Sequence, residues 1–135
     1  MKLPSCELWV YSIYTINNFT LCTGDPNERG FINGVGRRAR FAYIADMVNY
    51  NDGSELIVAD YSNHCIRRVN RHTSTVTTFA GICTDSEILG GPASILYRKD
   101  KDLFYYLLYN DSLVEHDALN GKIQNLIVCN KFKEL

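Results

Sequence analysis

The chain has 135 residues, 46% of them hydrophobic and 21% charged, with a formal net charge of −1. That length and composition fit one globular domain and exclude a disordered, polar chain. The near-zero charge gives no global attraction to nucleic acid or to an anionic membrane, and no apolar run approaches the roughly 18 residues of a spanning helix.

Taken in chain order, Lys2 opens a stretch that Pro4 and Glu7 interrupt, so the continuous apolar segment of a secretory signal is missing and a cytoplasmic chain is favoured. Trp9-Val10-Tyr11-Ser12-Ile13-Tyr14 is rich in aromatic and β-branched residues and predicts one strand, followed by a turn near Asn17-Asn18 and a second strand at Phe19-Thr20-Leu21-Cys22. Glycines 30, 34 and 36 mark a loop. Residues 41–50 and 55–60 predict strands joined by Asn51-Asp52-Gly53-Ser54, a hairpin signal. Residues 66–69 and 75–79 form a further pair around His72-Thr73-Ser74. The pattern returns with residues 92–97, a charged turn at 98–102, and a strand at 103–109 whose unbroken apolar run predicts burial on both faces. Residues 113–116 and 122–127 close the series around Asn120-Gly121. Three of these hairpins, at 8–24, 65–81 and 113–128, share one grammar, which marks an internal repeat.

The segment 24–81 carries a recognisable signature: Gly30-Phe31-Ile32-Asn33-Gly34-Val35-Gly36, Ala39-Arg40-Phe41, Val58-Ala59-Asp60, Asn63-His64 and Ile66-Arg67, then Phe79-Ala80-Gly81. It resembles one complete NHL repeat, with Cys65 where the pattern has Leu. The resemblance implies an all-β chain, an NHL-type β-propeller segment of four-stranded antiparallel blades in an incomplete ring. On this reading residues 8–24 are the outer half of a blade, 25–81 a complete blade, 82–128 a divergent blade and 129–135 a tail. Ten strands make two blades and half of another, whereas propellers close with four to eight blades. Open blade faces therefore imply that the chain is part of a longer propeller, that it self-assembles, or that its faces are protected. The resemblance also implies structural roles for Gly34, Gly36 and Gly81 in the connections, for Asn63 in its turn, and for Asp60 as the acid that bonds turn amides or Arg67.

Residues able to carry chemistry are few. The glycines of 30–36 lack the Gly-Lys-Ser/Thr step of a phosphate loop and precede a strand rather than a helix. His64, His72, His116, Cys65 and Cys83 lack zinc-site spacing, so neither metal nor cofactor is expected. His116, beside Glu115 and Asp117, reads as a solvated position. The five cysteines form no Cys-x-x-Cys pair, and free structural thiols are expected. Asn18-Phe19-Thr20 and Asn110-Asp111-Ser112 fit the glycosylation acceptor pattern.

Some propellers related to this family are amidating lyases with a central metal, but no residue here matches their site, and no catalytic residue is assigned. The charge distribution is more informative. Residues 29–71 hold seven arginines against four acids, and residues 82–121 hold seven acids against three basic residues. Arg29, Arg37, Arg38 and Arg40 fall in a connection between blades, with Phe31 among them and Arg67 and Arg68 in the strand that follows. These seven are the candidate binding residues. A protein partner is the first reading, and RNA, held by Arg–phosphate contacts with Phe31 as a stacking surface, is the second. A fragment of a propeller enzyme is the third. The tyrosines at 43, 50, 61, 97, 105, 106 and 109 are expected to pack mostly between blades.

Overall fold

The structure, a computed structural model, describes residues 6–9, 11–15 and 21–127. Its strands are β1 (Cys6–Trp9), β2 (Ser12–Thr15), β3 (Leu21–Gly24), β4 (Gly34–Val35), β5 (Ile44–Tyr50), β6 (Glu55–Asp60), β7 (Cys65–Asn70), β8 (Thr75–Ala80), β9 (Pro92–Arg98), β10 (Leu103–Leu108), β11 (Leu113–Asp117) and β12 (Lys122–Ile127). They form three antiparallel sheets, ordered β1-β2-β3, β4-β8-β7-β6-β5 and β12-β11-β10-β9. One short helix, α1 (Ser86–Leu89), follows Asp85, whose carboxylate accepts the Glu87 amide hydrogen. The fold is all-β.

Two strands beyond the expected set appear. The single strand expected over 9–14 is interrupted at Tyr11, and β1 folds back on β2 with Trp9 opposite Ser12. This fold-back pairs an edge of β2 that a two-stranded ribbon would leave open. The expected turn at Asn17-Asn18 lies outside the described residues, as do the first acceptor asparagine and Cys129. Gly34-Val35 pairs with Val76-Thr75 and gives the middle sheet a fifth strand.

The sheets stack face to face. Leu56, Val58, Val69 and Val76 of the middle sheet pack with Ile13 of the first sheet and with Ala39 and Phe41 of the loop between them. Ile57, Ala59 and Ile66 point the other way, against Ile95, Phe104, Tyr106 and Val114 of the third sheet. Residues 56–60 of β6 are therefore buried without interruption. The run at 103–109, expected to be buried on both faces, is not: Phe104, Tyr106 and Leu108 are buried, whereas Leu107 and Tyr109 are exposed. Among the described residues no sheet covers the outer face of β10.

The inner edges of the second and third sheets are stitched together. Asp46, beside a bulge in β5, accepts the Ile95 amide hydrogen at 2.8 Å and the Ser94 hydroxyl at 3.4 Å. Deeper in, Tyr50, Phe79, Tyr97, Phe104, Tyr106 and His116 form one cluster of edge-to-face and stacked rings. Asp102 takes the hydroxyls of Tyr50 and Tyr97 at 3.3 and 2.9 Å. Burial and this carboxylate push the Tyr97 hydroxyl up to about 12. Tyr43 and Tyr109 are exposed instead of packed between sheets.

His116 is buried rather than solvated, with Nδ1 2.7 Å from the Tyr106 hydroxyl. The alternation of β11 turns Glu115 and Asp117 outward and His116 inward, which the acidic neighbours concealed. Burial lowers its pKa below the ordinary 6.5, opposed by the charges of Asp117 and Asp102. The unfolded chain therefore binds this proton before the folded one, so stability is complete above about pH 6.5 and falls as the pH drops below it. Urea midpoints measured from pH 7.5 to 5 should show this acid loss, and His116→Gln should flatten it.

Cys65 and Cys83 form a disulfide, overturning the expectation of free thiols. Pairing Ile66 with Ala80 brings the two cysteines within 4.9 Å at Cα, a proximity the sequence separation of 18 does not announce. Loop-closure entropy for such a span gives about 3 kcal/mol. Reduction by a thiol reagent should lower the unfolding free energy by about that amount, and Cys65→Ser with Cys83→Ser should abolish sensitivity to the reagent.

Candidate functional site

The loop between the first and middle sheets is built on one buried ion pair. Asp60 ends β6 and Arg67 lies in β7, and both side chains are 0% exposed, with Oδ2 2.8 Å from the guanidinium. Asp60 Oδ1 accepts the amide hydrogens of Ala42 and Tyr43 at 3.0 and 3.3 Å, and Oδ2 also accepts Asn63 Nδ2 at 2.7 Å. Arg67 donates to the carbonyls of Arg40 and Ile32 at 2.9 and 3.0 Å and to Asn33 Oδ1 at 2.8 Å. Its guanidinium lies 4.9 Å from each ring centroid of Phe31 and Phe41. Asn63 donates in turn to the Gly30 carbonyl at 2.7 Å. Burial lowers the Arg67 pKa, and the Asp60 charge and hydrogen bond oppose that shift. Together these groups fix loop backbone that has few strand partners of its own.

Further bonds hold the rim of the loop. The Gly30 amide donates to the Phe41 carbonyl at 3.0 Å, Gly36 to Ser74 at 2.9 Å, and the Thr23 hydroxyl reaches the Gly36 carbonyl at 3.2 Å. Gly36 and Gly81 have φ of 57° and 81°, and a Cβ on Gly81 would meet the Leu89 side chain at 3.0 Å and the His64 carbonyl at 3.2 Å. Gly34 has neither a positive φ nor a neighbour closer than 3.6 Å, so sterics do not demand glycine there.

The candidate binding residues divide into two sets. Arg67 cannot touch a partner, since its donors hold the loop from beneath. Arg40 is also engaged: it pairs with Glu28 at 3.0 Å and Asp25 at 3.7 Å and donates to the carbonyls of Arg37 and Ala39. Arg68, the next residue after Arg67, points to the opposite face of the sheet, where it pairs with Glu55 and lies over Tyr50 and Phe79. There it lines a shallow polar groove of about 330 Å³ with Glu55, Asn70, Thr73, Thr75 and Thr77. Arg29, Phe31, Arg37 and Arg38 remain exposed, and none of these arginines has an ion pair among the described residues. Ile32 and Val35, which the sequence reading passed over, are exposed beside them. Their signal was present as two aliphatic residues inside a glycine-rich loop.

Among the described residues no group of three or more His, Cys, Asp or Glu side chains could hold a metal ion. Cys65 and Cys83 are consumed by their disulfide, and His64 Nδ1 accepts the Gly91 amide hydrogen at 3.0 Å.

No family model matches the sequence, and no curated protein matches it. Solved structures do match. An auxiliary nutrient binding protein from Bacteroides thetaiotaomicron VPI-5482 is 22% identical with a TM-score of 0.58, over 86% of this chain and 32% of its own. A protein of the same description from Bacteroides ovatus ATCC 8483 is 19% identical with a TM-score of 0.60, over the same shares. A candidate phosphatase from Bacteroides thetaiotaomicron VPI-5482 is 17% identical with a TM-score of 0.55, over 85% of this chain and 30% of its own. The likeness is one of fold, and this chain spans about a third of the length of the proteins it matches.

Removing one member of the buried pair strands the other's charge, which typically costs about 3–5 kcal/mol. Asp60→Asn should therefore lower the unfolding free energy by roughly that amount, whereas Asp60→Asn combined with Arg67→Met should cost clearly less than the sum of the single changes. Urea denaturation of the three variants measures the coupling.

Proposed function

We propose that the chain is an NHL-type β-propeller segment that serves as a non-enzymatic interaction scaffold and binds a protein through the loop at residues 29–38. The observation that carries this reading is the contrast within that loop. Its buried side is fixed by the Asp60–Arg67 pair, while Phe31, Ile32, Val35, Arg37 and Arg38 are exposed on it. Aromatic, aliphatic and arginine side chains on a pre-ordered backbone have the composition of an interface centre and lose little entropy on binding. Stacking of successive antiparallel meanders supports the blade reading, and the description of two structural neighbours as nutrient binding proteins agrees with a binding role. We also place the folding of the chain in an oxidising compartment, where a disulfide such as Cys65–Cys83 persists.

RNA is the second reading, favoured by Arg37 and Arg38, which are exposed and have no ion pair among the described residues. The engagement of Arg40 and Arg67 leaves it fewer phosphate contacts than the sequence offered. A triple variant, Phe31→Ala with Arg37→Ala and Arg38→Ala, distinguishes the two. For a protein partner, binding measured with the purified partner survives nuclease and weakens at least about tenfold in the variant. For RNA, nuclease abolishes binding, and removing two phosphate contacts lowers the slope of log affinity against log salt by about 1.4. Unchanged binding in the variant would remove both readings of the loop.

A further inference from the structure

The turn between β10 and β11 holds an acceptor triplet that neither the buried ion pair nor the loop at residues 29–38 uses. Asn110-Asp111-Ser112 has the pattern of N-linked glycosylation, and such a triplet serves as a site when it lies on a surface loop of a chain that folds in an oxidising, secretory compartment. The first condition is met at Asn110. The residue is exposed in the turn, and its Oδ1 accepts the Ser112 amide hydrogen at 3.0 Å, while Nδ2 meets no acceptor among the described residues. The backbone of the turn is fixed by other bonds. The Leu108 amide donates to the Ser112 carbonyl at 2.9 Å, the Asp111 amide to the Leu108 carbonyl at 3.0 Å, and the Tyr109 amide to the Gly91 carbonyl at 2.9 Å. A sugar joined to Nδ2 therefore breaks none of the hydrogen bonds that hold the turn.

The second condition is met by Cys65–Cys83, a bond that persists in the compartments where this modification is made. In this respect the inference rests on the oxidising compartment proposed above, and it does not rest on the partner of the loop. Nor does the position obstruct that loop. The Tyr109 amide reaches Gly91, whose own amide donates to His64 Nδ1, so the turn lies at the end of the middle sheet where β7 begins. The Gly36 amide donates to the Ser74 carbonyl at the other end of β7 and β8, and the exposed Arg37 and Arg38 follow Gly36 there.

We propose that Asn110 is an N-linked glycosylation site. Nδ2 forms a bond to the anomeric carbon of a lipid-linked oligosaccharide, and the bond from that carbon to the pyrophosphate breaks. The lipid pyrophosphate leaves with the electron pair, and one Nδ2 proton passes to a base of the transferase. The triplet is read through the Ser112 hydroxyl, yet Ser112 is only 4% exposed in the finished fold. Transfer therefore precedes closure of the β10–β11 hairpin, after which the exposed Asn110 keeps the glycan in solvent.

Peptide mass spectrometry on the chain isolated from its native cells tests this, after an amidase has removed N-linked glycans in heavy-oxygen water. The amidase converts a glycosylated asparagine to aspartate carrying the heavy oxygen, and a sample without amidase corrects for spontaneous deamidation. The expected result is label at residue 110. In an Asn18→Gln background expressed through a secretory route, one glycosidase-sensitive mobility shift should remain. Asn110→Gln, on an exposed side chain, should abolish it, and so should Ser112→Ala, which leaves the asparagine intact. Thiol labelling of the same samples reads Cys65 and Cys83. An unlabelled Asn110 in chain whose disulfide is formed overturns the proposal alone, as does a shift that survives Asn110→Gln. Free thiols at Cys65 and Cys83 in the native chain overturn the compartment reading and this proposal with it. The Arg37→Ala, Arg38→Ala variant should be glycosylated normally, so failure of the loop reading and failure of this one are distinguishable.

Discussion

The Asp60–Arg67 pair is the constraint on which the rest of the molecule depends. The loop between the first and middle sheets must cover one edge of the core while carrying few strand hydrogen bonds, and its backbone groups need partners. Two charged side chains from adjacent strands meet that need. Asp60 takes the amides at 42 and 43, and Arg67 takes the carbonyls at 32 and 40 between two phenylalanine rings. Burying a charge costs several kcal/mol unless it is paired and hydrogen-bonded; both carboxylate oxygens of Asp60 and both terminal nitrogens of Arg67 are bonded, with Arg67 Nε left without a partner, so the loop has little freedom to rearrange without orphaning more of these groups. A surface built on that loop inherits its order.

The same logic recurs between the second and third sheets, with different chemistry. Asp46 caps the amide of Ile95 at the inner edge, and Asp102 collects two tyrosine hydroxyls farther along the interface. Between these polar fastenings lies a cluster of six rings, in which burial lowers the pKa of His116. Each inter-sheet contact therefore combines an apolar face with a few carboxylates that fix its register. On the outer face of the third sheet Leu96 and Leu107 are exposed, and among the described residues no sheet covers it.

Much of the strand pattern was legible in the sequence, because period-two alternation and turn dipeptides are local properties. β5 to β12 were all anticipated, and Asn51-Asp52-Gly53-Ser54 and Asn120-Gly121 do lie at hairpin turns. The fold-back at Tyr11 was not legible, since nothing in Trp9–Tyr14 distinguishes a strand from two strands about a turn. At the site, the sequence brought Asp60 near Arg67 but could not rank the arginines. Arg40, Arg67 and Arg68 share composition and neighbourhood with Arg37 and Arg38, yet they are engaged with Glu28, Asp60 and Glu55 respectively.

By itself the sequence determined that this is an all-β chain of successive antiparallel hairpins, with a basic first half and an acidic second half, because propensity, periodicity and charge are carried by each residue wherever it lies. Only the tertiary structure decided which of those residues are buried, paired or free. Cys65 finds Cys83, His116 turns inward, Arg67 vanishes beneath its loop and Leu96 is left in solvent. The physical reason is that burial and pairing are relations between strands distant in sequence. They are set by which sheet lies across which face, and no local pattern encodes that.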